Sequence, residues 1–177
     1  MVQRKHSPVM VMVICAMLTA LYVVLSLMAI RIGNLRITLD SLPIVVAGAL
    51  LGPVPGLAVG LLGNLIEQML LFGLGPTTVL WIVADGVRGL IIGWYARRKG
   101  YSLNTAQMIA IAVVAAVVVT ILNTVALYID SKINHYYTEA LIWGSLGARF
   151  LTGMATSAVI GAVLPHLLKV LKRSLDA

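Results

Sequence analysis

Charge is what this sequence has least of. Only 11% of its 177 residues are Asp, Glu, Lys or Arg, where a soluble domain carries about 25%. Sixty per cent are hydrophobic, and the mean hydropathy is +1.02. A single domain of this length cannot hide so much apolar surface in its own core, so the bilayer must be part of its solvent. Cysteine is reduced to Cys15 inside an apolar run, which excludes a disulfide framework and a cysteine metal site. His6, His135 and His166 are far apart in sequence, and their expected positions at opposite membrane faces exclude one shared metal site. There is no Gly-x-x-x-x-Gly-Lys-Ser/Thr phosphate loop, no His-Glu-x-x-His and no Gly-x-Ser-x-Gly. Ser26 and Ser157 have no histidine at matching depth, which removes a simple serine hydrolase. No second half resembles the first, so the inverted repeat of many secondary transporters is missing too. Neither a metal nor a cofactor is expected, and the net charge of +7 is read by position, giving no nucleic-acid partner.

What is present is a series of apolar segments. The sequence predicts an all-α integral membrane protein, one domain over 1–177. Its compact bundle of six transmembrane helices is placed at about 8–30, 42–51, 54–72, 77–96, 104–129 and 141–168. The first run is too long for a usual signal segment and is read as a membrane helix. The second is too short to cross alone unless it starts in the preceding loop or packs against protein. Gly52-Pro53-Val54-Pro55-Gly56 separates it from the third. In a six-helix arrangement eight basic residues fall on the side of both termini and three on the other. Positive residues favour the cytoplasm, so both termini are expected there. Glycines four apart, such as Gly56 and Gly60 or Gly89 and Gly93, predict close helix approach.

The few polar residues inside the helices converge on one half of the membrane, the outer one in this orientation. Asn64, Glu67 and Gln68 share a face of helix three, and Trp81, Asp85 and Arg88 share a face of helix four. Asn123 on helix five and Arg149 on helix six lie at similar depth. An ionisable residue at that depth costs about 2.5–3.5 kcal/mol on insertion scales, so it is normally paired or faces water. Pairing between helices would explain any one of them. Their common depth, with Trp81 and two asparagines alongside, predicts a polar cavity that opens outward. Tyr101, Tyr136 and Tyr137 are expected as interfacial anchors.

The stretch from Asn34 to Asn64, NLRITLDSLPIVVAGALLGPVPGLAVGLLGN, resembles the hallmark of substrate-binding S components of energy-coupling factor transporters, most closely their folate-family branch. The matching pieces are Arg36-Ile37, Leu42-Pro43-Ile44, Gly48, Gly52-Pro53, Gly56, Gly60 and the polar Asn64. Ala16 and Ala20 on helix one match the alanine motif with which such proteins dock on their coupling subunit. Recognisable motifs cover roughly residues 10–100. The resemblance implies a non-enzymatic, multi-pass protein of a bacterial or archaeal cell membrane that captures a water-soluble vitamin or precursor. Its partners would be a transmembrane coupling subunit and two cytoplasmic ATPases. Arg36, Asn64, Glu67, Gln68, Trp81, Asp85, Arg88, Asn123 and Arg149 are the expected ligand-binding residues. Folate members carry a Pro-Gly-Phe-Thr segment entering helix four, whereas here residues 73–81 read GLGPTTVLW. That departure points away from folate itself. Hydroxymethylpyrimidine, pantothenate, pyridoxine-type compounds and cobalamin stay open. Two other readings compete: a membrane-embedded enzyme using Glu67 and Asp85 as an acid/base pair, and a small autonomous transporter.

Overall fold

The computed structural model describes residues 7–32 and 35–176, with side chains described for 7–30 and 37–165. Six α-helices dominate: α1 (Pro8–Leu27), α2 (Ser41–Leu51), α3 (Pro53–Leu71), α4 (Thr78–Arg98), α5 (Thr105–Ile133) and α6 (Leu146–Asp176). Their starts follow local chemistry. Ser7 caps α1 by accepting from the Met10 N–H at 3.2 Å, with Pro8 in the first turn where no amide partner is needed. Asn104 and Gln107 form a reciprocal capping box at the start of α5. Gly52, at φ +103°, ends α2 and lets Pro53 begin α3 at once.

Among the described residues, five helical stretches are long and apolar enough to cross a membrane, and α2 is not. At 11 residues α2 lies within protein instead: Ile44, Val45, Val46, Ala47 and Ala49 are all buried, and it contacts α1, α3, α4 and α6. Satisfying its backbone internally and surrounding it with helices is how such a short segment is tolerated at membrane depth.

Two departures from the expected boundaries bear on function. Helix one stops at Leu27, short of residue 30, because the chain turns into two short antiparallel strands, β1 (Ile30–Ile32) and β2 (Leu35–Ile37). Arg31 is in register with Arg36 across that pair. Before α6, residues Ala140–Gly144 form a π-helical turn, η1. Helices four and five also run a little further than expected, to Arg98 and Ile133.

The bundle is filled unevenly. At the end that holds the start of α1, Val45, Val46, Ala49, Ile92, Met108, Ala115, Ile160 and Leu164 form an apolar core. The same region contains the tightest helix contact. A Cβ on Gly89 would collide with the Gly56 carbonyl, and one on Gly56 would stand 2.7 Å from the Gly89 carbonyl. Both helices approach backbone to backbone there, as small residues permit in lipid. Cationic side chains lie over aromatic rings at either end of the bundle, Arg98 over Trp94 at 3.8 Å and Lys132 over Tyr137 at 3.7 Å. Such aromatic and basic pairs suit the membrane–water interfaces.

Candidate functional site

The opposite end of the bundle encloses a cavity of about 820 Å³. Helices α1, α3, α4, α5 and α6 line it, together with the segments that follow helices one, three and five. Asn64, Glu67 and Gln68 of α3 are buried in its wall. Trp81, Asp85 and Arg88 of the adjacent α4 line it beside them, and Asn123 and Arg149 join the lining from α5 and α6. The structure thus brings together eight of the nine sequence-derived candidates. The ninth, Arg36, lies outside the residues whose side chains are described.

At the floor, glycine again decides the geometry. A Cβ on Gly60 would collide with the Asp85 carbonyl, so α3 and α4 approach closely just where Asp85 projects. A Cβ on Gly63 would come within 2.7 Å of the Tyr22 ring. The absence of a side chain there lets Tyr22 lie flat against α3 and reach the cavity. Its hydroxyl stands 2.8 Å from Glu67 Oε2 and 2.8 Å from Asp85 Oδ2. Asn64 Nδ2 donates to Asp85 Oδ2 at 2.8 Å and approaches Tyr22 Oη at 3.3 Å. Arg88 Nε is 3.4 Å from Asp85 Oδ1, an ion pair one helical turn apart. Glu67 on α3 thus accepts a hydrogen bond from a tyrosine on α1.

Tyr22 was not among the expected site residues. The available signal was the stripe Thr19, Tyr22 and Ser26, spaced three and four apart on an otherwise apolar helix and all buried.

The rim is organised by a second residue the sequence reading passed over. Asp130, near the end of α5, accepts hydrogen bonds from Thr77 at the entry to α4, from Tyr136 beyond α5, and from Asn134 Nδ2 at 2.9 Å. One carboxylate therefore fastens two of the segments that border the cavity mouth. Tyr136, expected as an interfacial anchor, is thereby also tied to the end of α5. Burial and the bond to Asp130 push its hydroxyl up to about 12, from about 10 for free tyrosine. Tyr137 lies edge-on to Tyr128, with ring centroids 5.6 Å apart.

Arg149 is shared between structure and cavity. Its Nη2 donates to the carbonyls of Ile142 at 2.7 Å and Leu141 at 3.4 Å. A π turn shifts carbonyls out of the usual helical pattern, and the guanidinium compensates two of them. Asn64 Oδ1, Arg88 Nε and Arg149 Nε are buried without a hydrogen-bond partner among the described residues. No group of His, Cys, Asp and Glu among the described residues could hold a metal ion.

Comparison with known proteins agrees with this architecture. Two solved structures share the fold. One, the S component of a bacterial ECF transporter, superposes with a TM-score of 0.67 at 21% identity over 92% of this chain and 97% of that one. The other, the S-component for biotin from an ECF-type ABC transporter, gives 0.59 at 18% identity over 93% and 95%. Among sequence relatives, a UPF0397 protein of Clostridium perfringens is 29% identical over 126 residues, 65% of this chain. The match spans 63% of that relative's length. A UPF0397 protein of Lactococcus lactis is 24% identical over 177 residues, 92% of each chain. The family described as ECF-type riboflavin transporter, S component, matches residues 8–172. Riboflavin was not among the vitamins the loop-one resemblance suggested, because that string shapes the fold around α2 and α3 and leaves most of the cavity wall unspecified. With nearly its whole length matched, the chain belongs to the family of ECF-type riboflavin transporter S components.

Proposed function

We propose that the cavity captures a water-soluble vitamin with a flat ring system outside the cell, for uptake driven by partner ATPases. Riboflavin is the first candidate, from the family match. The observation that carries this reading is the cavity itself: about 820 Å³, bordered by the three segments after helices one, three and five, with polar side chains from α1, α3, α4, α5 and α6 on its wall. Trp81 supplies a surface for stacking on a ring. Asn64, Gln68, Asn123 and the arginines supply directional polar contacts. Each buried polar atom without a partner costs roughly 1–3 kcal/mol, and a polar ligand would satisfy Asn64 Oδ1 and Arg149 Nε together. The excess of Lys and Arg on the side of the termini supports an outward-facing cavity in a bacterial or archaeal cell membrane. A transmembrane coupling subunit and two cytoplasmic ATPases would complete the transporter. Ala16 and Ala20, both exposed on α1, are the proposed docking point.

The test is direct. Full-length protein in detergent or nanodiscs is titrated with riboflavin, followed by quenching of its fluorescence. Biotin, folate, hydroxymethylpyrimidine, pantothenate, pyridoxine and cobalamin are then titrated by calorimetry. One of these should bind with a Kd well below about 1 μM, equivalent to more than about 8 kcal/mol. Micromolar or weaker binding of the whole panel would overturn the proposal.

A further inference from the structure

Three threonines line the α5–α6 side of the cavity: Thr120 on α5, and Thr152 and Thr156 on α6. A Cβ on Gly153 would stand 3.2 Å from Thr120 Oγ1, so the glycine between the two α6 threonines lets the α5 hydroxyl come close to them. Arg149 belongs to the same face of α6, since positions 149, 152, 153 and 156 are three or four apart. Elsewhere α6 exposes Leu151, Met154 and Val159, as a surface turned to lipid requires.

Where each hydroxyl hydrogen goes is fixed by its partner. Thr120 Oγ1 lies 2.8 Å from the Ala116 carbonyl, Thr152 Oγ1 2.8 Å from the Ala148 carbonyl, and Thr156 Oγ1 2.8 Å from the Thr152 carbonyl. A carbonyl has no hydrogen to give, so in all three pairs the threonine donates. What each oxygen offers to the cavity is therefore its lone pairs. The helices do not need these bonds, because a helical carbonyl already accepts the amide four residues on. Valine would fill the same space without a polar group. Hydroxyls kept on a cavity face point to a polar occupant.

The chemistry of that occupant follows from the row. Arg149 is a cation that only donates, and the threonines, with their hydrogens committed, only accept. An ammonium would suit the threonines but is repelled by Arg149. A carboxylate would suit Arg149 but meets threonine lone pairs. A hydroxyl accepts from the one and donates to the others, and a run of hydroxyls can do so along the roughly 10 Å of helix from Arg149 to Thr156. We propose that this wall is the subsite for an uncharged chain bearing several hydroxyl groups, and that Thr120, Thr152 and Thr156 set the specificity for it. The ring of the same ligand then lies towards Trp81 on α4. The assignment deepens the vitamin-binding function proposed above and rests on it.

The test compares riboflavin, whose ring carries a hydroxylated chain, with lumiflavin, which has the same ring and a methyl group in its place. Both are titrated into the full chain in nanodiscs. The parent should bind riboflavin about a hundredfold more tightly than lumiflavin, as several hydrogen bonds together allow. Thr152→Val and Thr156→Val should each lower that preference roughly tenfold, and Thr152→Ser and Thr156→Ser should keep it. Equal affinities for the two flavins in the parent, or a preference untouched by both valine variants, would overturn the subsite and leave the vitamin-binding reading standing. The parent comparison needs no variant, so it decides even if a valine variant fails to fold. If neither flavin binds, riboflavin falls as the vitamin, and ribitol, the hydroxylated chain by itself, decides the subsite. Saturation-transfer NMR should then show ribitol in contact with the parent and not with the double valine variant. No transfer from the parent would overturn the subsite too.

Discussion

The two ends of the bundle use the same helices in opposite ways. Around Ile92, Met108 and Leu164 the helices close on an apolar core, with backbones touching at Gly56 and Gly89. Towards Tyr22, Asp85 and Arg149 they part around a cavity whose wall is polar. Hydrocarbon lipid gives no hydrophobic drive for helix association, so the closed end must obtain its cohesion from close packing. That cohesion in turn lets the open end keep buried polar groups without collapsing. The closed end therefore determines whether there is a site, and the open end determines what the site holds.

The largest effect is expected from breaking the closed end. Gly89→Leu would drive a side chain into the backbone of α3 at Gly56, and even modest overpacking costs about 1–3 kcal/mol. With backbone as the obstacle, the variant should lose monodisperse folded protein altogether, measured by size-exclusion profile and thermal unfolding. Gly147→Ala is the control, because nothing stands within 4 Å of the added carbon; it should leave both measurements unchanged.

Next in size is a change at the floor of the open end. Asp85→Asn keeps the shape but removes the charge that pairs with Arg88 and accepts from Asn64 and Tyr22. Hydrogen bonds to charged groups contribute about 1.5–3 kcal/mol. Vitamin affinity should therefore fall by roughly tenfold to a hundredfold, read by calorimetry, while the protein stays folded. Unchanged affinity would mean that the floor does not sense the ligand.

How far these features could be read beforehand depends on the kind of signal each leaves. Asp85, Arg88 and Glu67 stood out because a charge in an apolar helix is costly, so each needed a reason. Tyr22 needed none: a tyrosine in a membrane helix passes as an amphipathic anchor, and only its spacing from Thr19 and Ser26 marks a buried stripe. Asp130 sits where helix five meets the interface, so its charge drew no attention, although it joins segments more than 50 residues apart in sequence. The paired strands did leave a trace. Ile30-Arg31-Ile32 and Leu35-Arg36-Ile37 alternate on either side of Gly33-Asn34, a hairpin pattern too short to stand out among long apolar spans. The π turn left none, since it arises from how α6 packs.

A smaller effect is expected at the rim. Asp130→Ala removes three hydrogen bonds among the segments at the cavity mouth, all away from the floor. Ligand should still bind, but its dissociation should be several-fold faster in stopped-flow measurements. Alkali offers a milder version. The Tyr136 hydroxyl is raised to about 12 in the folded protein from about 10 when free. Its bond therefore contributes fully below pH about 10 and is lost as pH rises through about 12. Phenolate absorption should show this late-titrating tyrosine in the parent protein, and Tyr136→Phe should lack it.

The smallest effect on binding is expected outside both regions, where it separates capture from delivery. Ala16 and Ala20 lie on the face of α1 that also exposes Met12, Met17 and Val24, away from Thr19, Tyr22 and Ser26. Among the described residues that face is exposed and leaves room for a larger side chain, so Ala16→Trp and Ala20→Trp should bind vitamin as the parent does. A partner helix packed there would be obstructed, because two alanines four apart permit an approach that indole forbids. Uptake by cells that also express a coupling subunit and its ATPases should therefore be lost while calorimetry shows unchanged affinity. Affinity falling together with uptake would instead place this face in contact with the bundle, and would remove the proposed docking point.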